Sequence, residues 1–357
     1  MDFKKSNNKN QSGFSYSKGI KVYLVLFVIL NFFIACAAKQ KNSDTSDLIY
    51  FDSLEGEIHQ MSRLGQNTQA YFSPSANKLV FIRDNPREHR TPQVYERNLV
   101  DKTERRISFN LGENHNPQYH PIKSWIVYSS SSDEIIEKVD IVPAMKDLGM
   151  KVPETNQNSD YPQDVYISAE DGSDIKRITS EKGFDGLATF SRDGDRVFYV
   201  RRDKGQSQIF EFNLKIGSKK IIHSEKVKVL SLSASETLIA WTYKTDDGGE
   251  KLIVKKLKGN EVVYTGNEKN SYSDVELHPK EMRFLVVSNL EDPKNKDIYQ
   301  VDFAEKCATR FSFHGADESH PTFGPEGKSL FFVSNRSKTN QIYATLIRPQ
   351  LACKPLP

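Results

Sequence analysis

Side chains able to do chemistry recur in this chain at fixed places in a repeated strand rather than in one compact motif. Asn67, Asn114, Asp185 and Glu318 each open such a strand, and Val227 and Tyr272 stand there in the two remaining copies. Two residues further on come Gln69, Asn116, Leu187, Val229, Asp274 and His320. Imidazole and carboxylate are reasonable ligands for a divalent ion, so Asp274 and His320, with His115 one place out of register, form a candidate cation site. Their spacing is not that of a metal motif. The polar set Asn67, Gln69, Asn114, His115, Asp185, Asp274, Glu318 and His320 equally suits the lining of a channel that holds ordered water. A lyase or hydrolase acting on a glycan or peptide would have its site near His320 and Asp274. The chain has no G-x-S-x-G elbow, no H-E-x-x-H, no phosphate-binding G-x-x-x-x-G-K and no paired C-x-x-C. His120 and His278 directly precede Pro and read as turn residues.

These positions matter only if the strands that carry them converge. The clearest copy of the repeat is ESHPTFGPEGKSLFFVSNRSKTNQIY, from Glu318 to Tyr343. Residue pairs ending the first strand of each copy are Ser73-Pro74, His120-Pro121, Ser191-Arg192, Ser233-Ala234, His278-Pro279 and Gly324-Pro325, at gaps of 47, 71, 42, 45 and 46 residues. The long gap falls into line if residues 131–161 are an insertion. Each copy continues with an apolar second strand (KLVFIR, DRVFYV, SLFFVS), a third (QVYERN, QIFEFN, QIYATLI) and a more polar fourth (ERRISF, IKRITS, ATRFSF). Strands apolar on both faces must be covered on both sides. Four antiparallel strands at this period compose a β-propeller blade. The expected fold is all-β, a single six-bladed propeller over residues 48–357. The sixth copy lacks a fourth strand after Leu346, and GEIHQMSRL, from Gly56 to Leu64, supplies one from the other end of the chain. LIYFD at 48–52 is read as a lead-in to it.

The net charge of +3 is concentrated at the N-terminus: the first 35 residues hold five Lys and one Asp, leaving 45 basic and 46 acidic residues, a net of −1. A near-neutral domain without a basic stripe is a poor partner for nucleic acid. The short runs Arg105-Arg106, Arg201-Arg202 and Lys255-Lys256 read as solvated strand edges. Lys4, Lys5, Lys9, Lys18 and Lys21 precede the apolar run 22–35 and then Cys36, the layout of an export signal. Phe33-Ile34-Ala35-Cys36 resembles the lipobox of bacterial lipoproteins, which implies that the signal at residues 1–36 is cut just before its Cys36, which becomes the acylated first residue and anchors the chain in a lipid bilayer. Ala37 and Ala38 imply sorting to an outer membrane, on its periplasmic or its surface face. Residues 37–47 read as a flexible tether. In an oxidising compartment Cys307 and Cys353, which follow the third strands of consecutive copies, can pair and staple the C-terminal tail to the ring; two free thiols are the alternative. The insertion carries Ile135, Ile136, Val139, Met145, Leu148 and Met150, with a helix expected from Ser132 until Pro143. It is either a partner-binding loop or a lid packed over the channel.

YFSPSANKLVFIRD, TFSRDGDRVFYVRR and HPTFGPEGKSLFFVSNR resemble the TolB-type (WD40-like, PD40) propeller repeat, over about residues 48–347. The resemblance implies an exported binding propeller, since TolB proteins bind a peptidoglycan-associated lipoprotein and help maintain the envelope. That family carries an α/β domain before the propeller, whereas here the tether leads directly into strands. The expected function is an envelope lipoprotein that binds an envelope protein or a peptidoglycan-associated partner, with no cofactor required. The alternatives are the channel enzyme above and a periplasmic sensor of a small ligand.

Overall fold

The structure, a computed structural model, describes residues 48–52, 55–133, 162–348 and 351–356. Six antiparallel sheets are arranged as blades I to VI around an axis. Their innermost strands are Gln66–Phe72, Asn114–Tyr119, Phe184–Phe190, Lys228–Ala234, Tyr272–Leu277 and Glu318–Phe323. Each packs against the next, and the sixth packs against the first, so the ring is closed. Second strands such as Lys78–Asp84 and Ser329–Ser334 are buried on both faces because each blade lies between two others. The core is accordingly a series of apolar layers between neighbouring blades. Phe198, Val200 and Ile209 of blade III, for example, meet Leu232, Ile239 and Trp241 of blade IV.

Blade VI is built from both ends of the chain. Gly56–Gln60 pairs with Gln341–Leu346 through His59↔Ala344 and Gln60↔Tyr343, the place expected for it. A repeated hydroxyl shows that the foreign strand occupies a fourth-strand position. In blade I, Ser108 Oγ accepts the Val94 N–H at 2.8 Å and donates to Gln93 Oε1 at 2.8 Å. Thr179 does the same for Val165 and Asp164, at 3.0 Å each. Ser312 Oγ accepts the Ile298 N–H at 2.8 Å. In blade VI the hydroxyl is that of Ser62, which accepts the Ile342 N–H at 2.9 Å and donates to Gln341 Oε1 at 2.8 Å. Ile58 sits fully buried beside Leu285 and Tyr343, a burial that stabilises by about 1.5–3 kcal/mol.

Residues 48–52 do more than lead in. Leu48–Asp52 pairs along its length with Gly56–Gln60 and forms a fifth, outermost strand of blade VI. Blade V also has a fifth strand, Lys354–Pro355 against Cys307–Arg310, and a disulfide joins Cys307 to Cys353 with Cα atoms 5.4 Å apart. The insertion leaves blade II between Trp125–Ser130 and Asp164–Ala169. Its candidate residues Ile135, Ile136, Val139, Met145, Leu148 and Met150 lie outside the described residues, as does Cys36.

Candidate functional site

The polar residues that open the inner strands face the seams of the ring. Asn67, Asn114, Asp185 and Glu318 are all buried. Asn67 donates to Gln341 Oε1 at 2.8 Å and accepts from Arg83 Nε at 2.9 Å, which ties blade I to blade VI. Asn114 donates to the Pro92 carbonyl of blade I at 2.9 Å. Asp185 takes the Arg201 guanidinium on both carboxylate oxygens. Glu318 accepts from Arg336 Nη2 at 2.9 Å, while Nη1 of that arginine reaches Glu55 Oε2 at 2.7 Å. A buried carboxylate needs such a partner, and the arginine comes from the end of, or just beyond, the second strand. Burial still pushes Glu318 up to about 7. Arg201 and Arg202 are therefore not solvated edges: Arg202 donates to the Val229 carbonyl of blade IV and lies over the Phe184 ring.

The third positions form a collar. Gln69, Asn116, Leu187, Asp274 and His320 all adopt left-handed backbone, with φ between 48° and 53°, at a β-bulge that each inner strand makes with its second strand. Such backbone is strained for a residue other than Gly, and the bulge re-aims the side chains beyond it. Gln69 Oε1 accepts the Asn116 N–H at 2.8 Å, and Asp274 Oδ2 accepts the His320 N–H at 3.1 Å. Blade IV has no left-handed residue there, and Ser231 Oγ takes the Val275 N–H at 3.1 Å instead. The collar thus stitches blade to blade. His115 turns to Glu113, at 3.6 Å, and lowers the pKa of that carboxyl. Among the described residues no group of three or more His, Cys, Asp or Glu side chains is placed to hold a metal ion; Asp274, His320 and His115 do not come together as one.

The concave site lies at the other end of the inner strands. A cavity of about 810 Å³ opens among their last residues and the turns beyond them. Its walls carry the fifth position of the strands, Tyr71, Gln118, Thr189 and Glu276, a set not singled out from the sequence. The signal was present, because Ser231 and Thr322 complete a fifth place that is polar in all six copies. His120 and His278 build the floor of the turns. Each Nδ1 accepts turn N–H groups, from Ile122 and Lys123 in one case and from Lys280 and Glu281 in the other. His120 Nε2 meets the Gly194 carbonyl of the next blade at 2.9 Å, and His278 packs on Gly327 in the same way. Glu276 is partly buried and accepts from Ser233 Oγ at 3.0 Å. Burial pushes its carboxyl up to about 8, against the pull of that hydrogen bond. Tyr71 is raised further still, first by burial and then by Glu276. The site therefore holds a proton on a carboxyl group near neutral pH, the kind of perturbed group that marks functional sites.

The closed ring decides the comparison with known proteins. The fold is that of a TolB-like six-bladed β-propeller. A TolB-type protein of Agrobacterium tumefaciens superposes with a TM-score of 0.57 at 11% identity, covering 84% of this chain and 97% of that one. The oligogalacturonate lyase of Vibrio parahaemolyticus does so with a TM-score of 0.52 at 10% identity, over 86% of this chain and 98% of the lyase. TolB of Acinetobacter baumannii matches with a TM-score of 0.47 at 14% identity; 74% of this chain is covered, and the chain spans 64% of that protein. No protein-family model and no curated protein matches the chain. Likeness at this level of identity speaks for fold, not for function.

Proposed function

We propose that this TolB-like propeller is a binding protein of the cell envelope, held to the outer membrane through an acylated Cys36, whose partner engages the channel mouth. The observation that carries this reading is the cavity of about 810 Å³ framed by turns from all six blades. A preformed concavity of mixed apolar and polar lining is what recognition needs. The partner is an envelope protein or a peptidoglycan-associated one. The opposite rim, from which the insertion of blade II leaves, is a separate candidate partner surface.

Photo-crosslinking in cells from a probe at Arg192, on the mouth of the cavity, followed by mass spectrometry, is expected to trap one dominant envelope protein. A probe at Ile216, on the outer edge of blade III, is the control. Equal yields from both positions would remove the reading. Fractionation of Cys36→Ser tests the anchor separately: the variant is expected to leave the membrane fraction. The enzyme reading has one feature in its favour, the Glu276 carboxyl raised by burial beside Tyr71. Turnover of an oligosaccharide or peptide that Glu276→Gln abolishes would replace binding with catalysis.

A further inference from the structure

Glu276 stands on the cavity wall without a cation. Among the described residues its one hydrogen bond is the Ser233 hydroxyl, and none of their ion pairs includes it. Among the described residues the buried carboxylates each have an arginine: Glu55 and Glu318 share Arg336, Glu96 has Arg105, Asp164 has Arg177, Asp185 has Arg201 and Asp297 has Arg310. Leaving a carboxyl group half-buried and unpaired is costly, and blade V spends no arginine on it. Among the mixed lining, five aromatic residues, Tyr71, Phe72, Tyr119, Phe190 and Phe323, share the cavity with it. A cavity that combines several aromatic rings with one unpaired carboxyl group is complementary to an organic cation, which the carboxylate neutralises and ring faces attract.

We propose that the cavity binds a primary ammonium group, with Glu276 as its counter-ion. The proposal rests on the channel mouth being the partner site and supplies the chemistry of that partner: a lysine side chain on a flexible stem. A free alkylamine carries the same group. The other charges at the site are compatible. Asp274, on the same strand, is held by the His320 N–H. At the mouth, Glu281 is paired with Arg283 and Glu326 with Lys328. Arg192 is exposed, and Lys280 is on an exposed turn, so water screens both. Burial holds the pKa of His278 below its ordinary value. Tyr71 keeps its proton. Binding converts a protonated Glu276 and a free ammonium into a carboxylate–ammonium pair and releases one proton to solvent.

The test is calorimetric titration of the full-length protein with n-butylammonium chloride and with Nα-acetyl-lysine N-methylamide. Each is run from pH 6 to pH 9 in buffers of differing ionisation enthalpy. Affinity is expected to rise about tenfold per pH unit while Glu276 is protonated, and to level off once it is ionised, with one proton released below that point. n-Butanol, of the same shape without the charge, is expected to bind at least tenfold more weakly. Glu276→Gln should lose the ammonium preference and the pH dependence together, and Asp274→Asn should keep both. Binding of the lysine amide points to a partner's side chain, and binding of butylammonium alone to a free amine. Equal affinity for butanol, a flat pH profile, or an unchanged Glu276→Gln would overturn the proposal. If Glu276→Gln fails to fold, the wild-type pH profile and proton count decide alone. Ammonium binding without a crosslinked protein would keep the site and remove the partner; a crosslink indifferent to Glu276→Gln would do the reverse.

Discussion

Removing the Ser62 hydroxyl should open the ring at its seam. Ser62 is almost fully buried. Ser62→Ala deletes the donor to Gln341 Oε1 and the acceptor of the Ile342 N–H. Gln341 Oε1 keeps the Asn67 amide as a donor at 2.8 Å, so its loss is one ordinary hydrogen bond, about 1 kcal/mol. The Ile342 N–H is left buried without a partner, which costs about 1–3 kcal/mol. The sum is about 2–4 kcal/mol, and at roughly 2 °C per kcal/mol for a domain of this size the melting temperature should fall by about 4–8 °C. Ser108→Ala makes the same two losses in blade I, with Val94 and Gln93, and is the internal standard. Ser62→Thr should cost less than about 1.5 kcal/mol, because Thr179 already fills this place in blade II. Thermal and urea unfolding followed by circular dichroism would measure all three. If Ser108→Ala costs the full amount while Ser62→Ala stays within about 0.5 kcal/mol of wild type, the N-terminal strand contributes nothing to closure and the account of blade VI fails.

Gly194→Ala should destabilise by about 2–4 kcal/mol, because φ is +73° and a Cβ would run into the His120 ring; His120→Ala in the same chain should recover part of it, a coupling that a double-mutant cycle reads. Reducing the Cys307–Cys353 bridge, whose ends are 46 positions apart, should cost up to about 4 kcal/mol and raise hydrogen exchange first at the Leu356 N–H, which donates to the Lys306 carbonyl. Burial raises the Glu276 carboxyl to about 8 and Glu318 to about 7, so between the unfolded value near 4.5 and these values the folded chain holds the extra protons. Stability should therefore decline as pH rises across that window, and Glu276→Gln should flatten the decline in chemical unfolding at pH 5, 6.5 and 8.

The sequence by itself determined the number of blades, the four-strand order within each and the origin of the closing strand. These are properties of the local chain. Strands such as SLFFVS are apolar on both faces and can only lie between sheets. The Met61-Ser62 pair repeats Ile107-Ser108 and Ile178-Thr179, which follow the fourth strands of blades I and II. What the inner strands point at was decided by tertiary structure alone. An alternation of two residues fixes sidedness only while the ladder is regular, and every inner strand breaks its ladder at a bulge. Because of that break, Asn67, Asn114, Asp185 and Glu318 lie in the seams with partners from other strands, Asp274 and His320 link their two blades, and the fifth positions Tyr71, Gln118, Thr189 and Glu276 line the cavity. The state of Glu276 depends on Ser233 in blade IV and on the burial that a closed ring of blades supplies. Those residues are distant in sequence, and no local pattern brings them together.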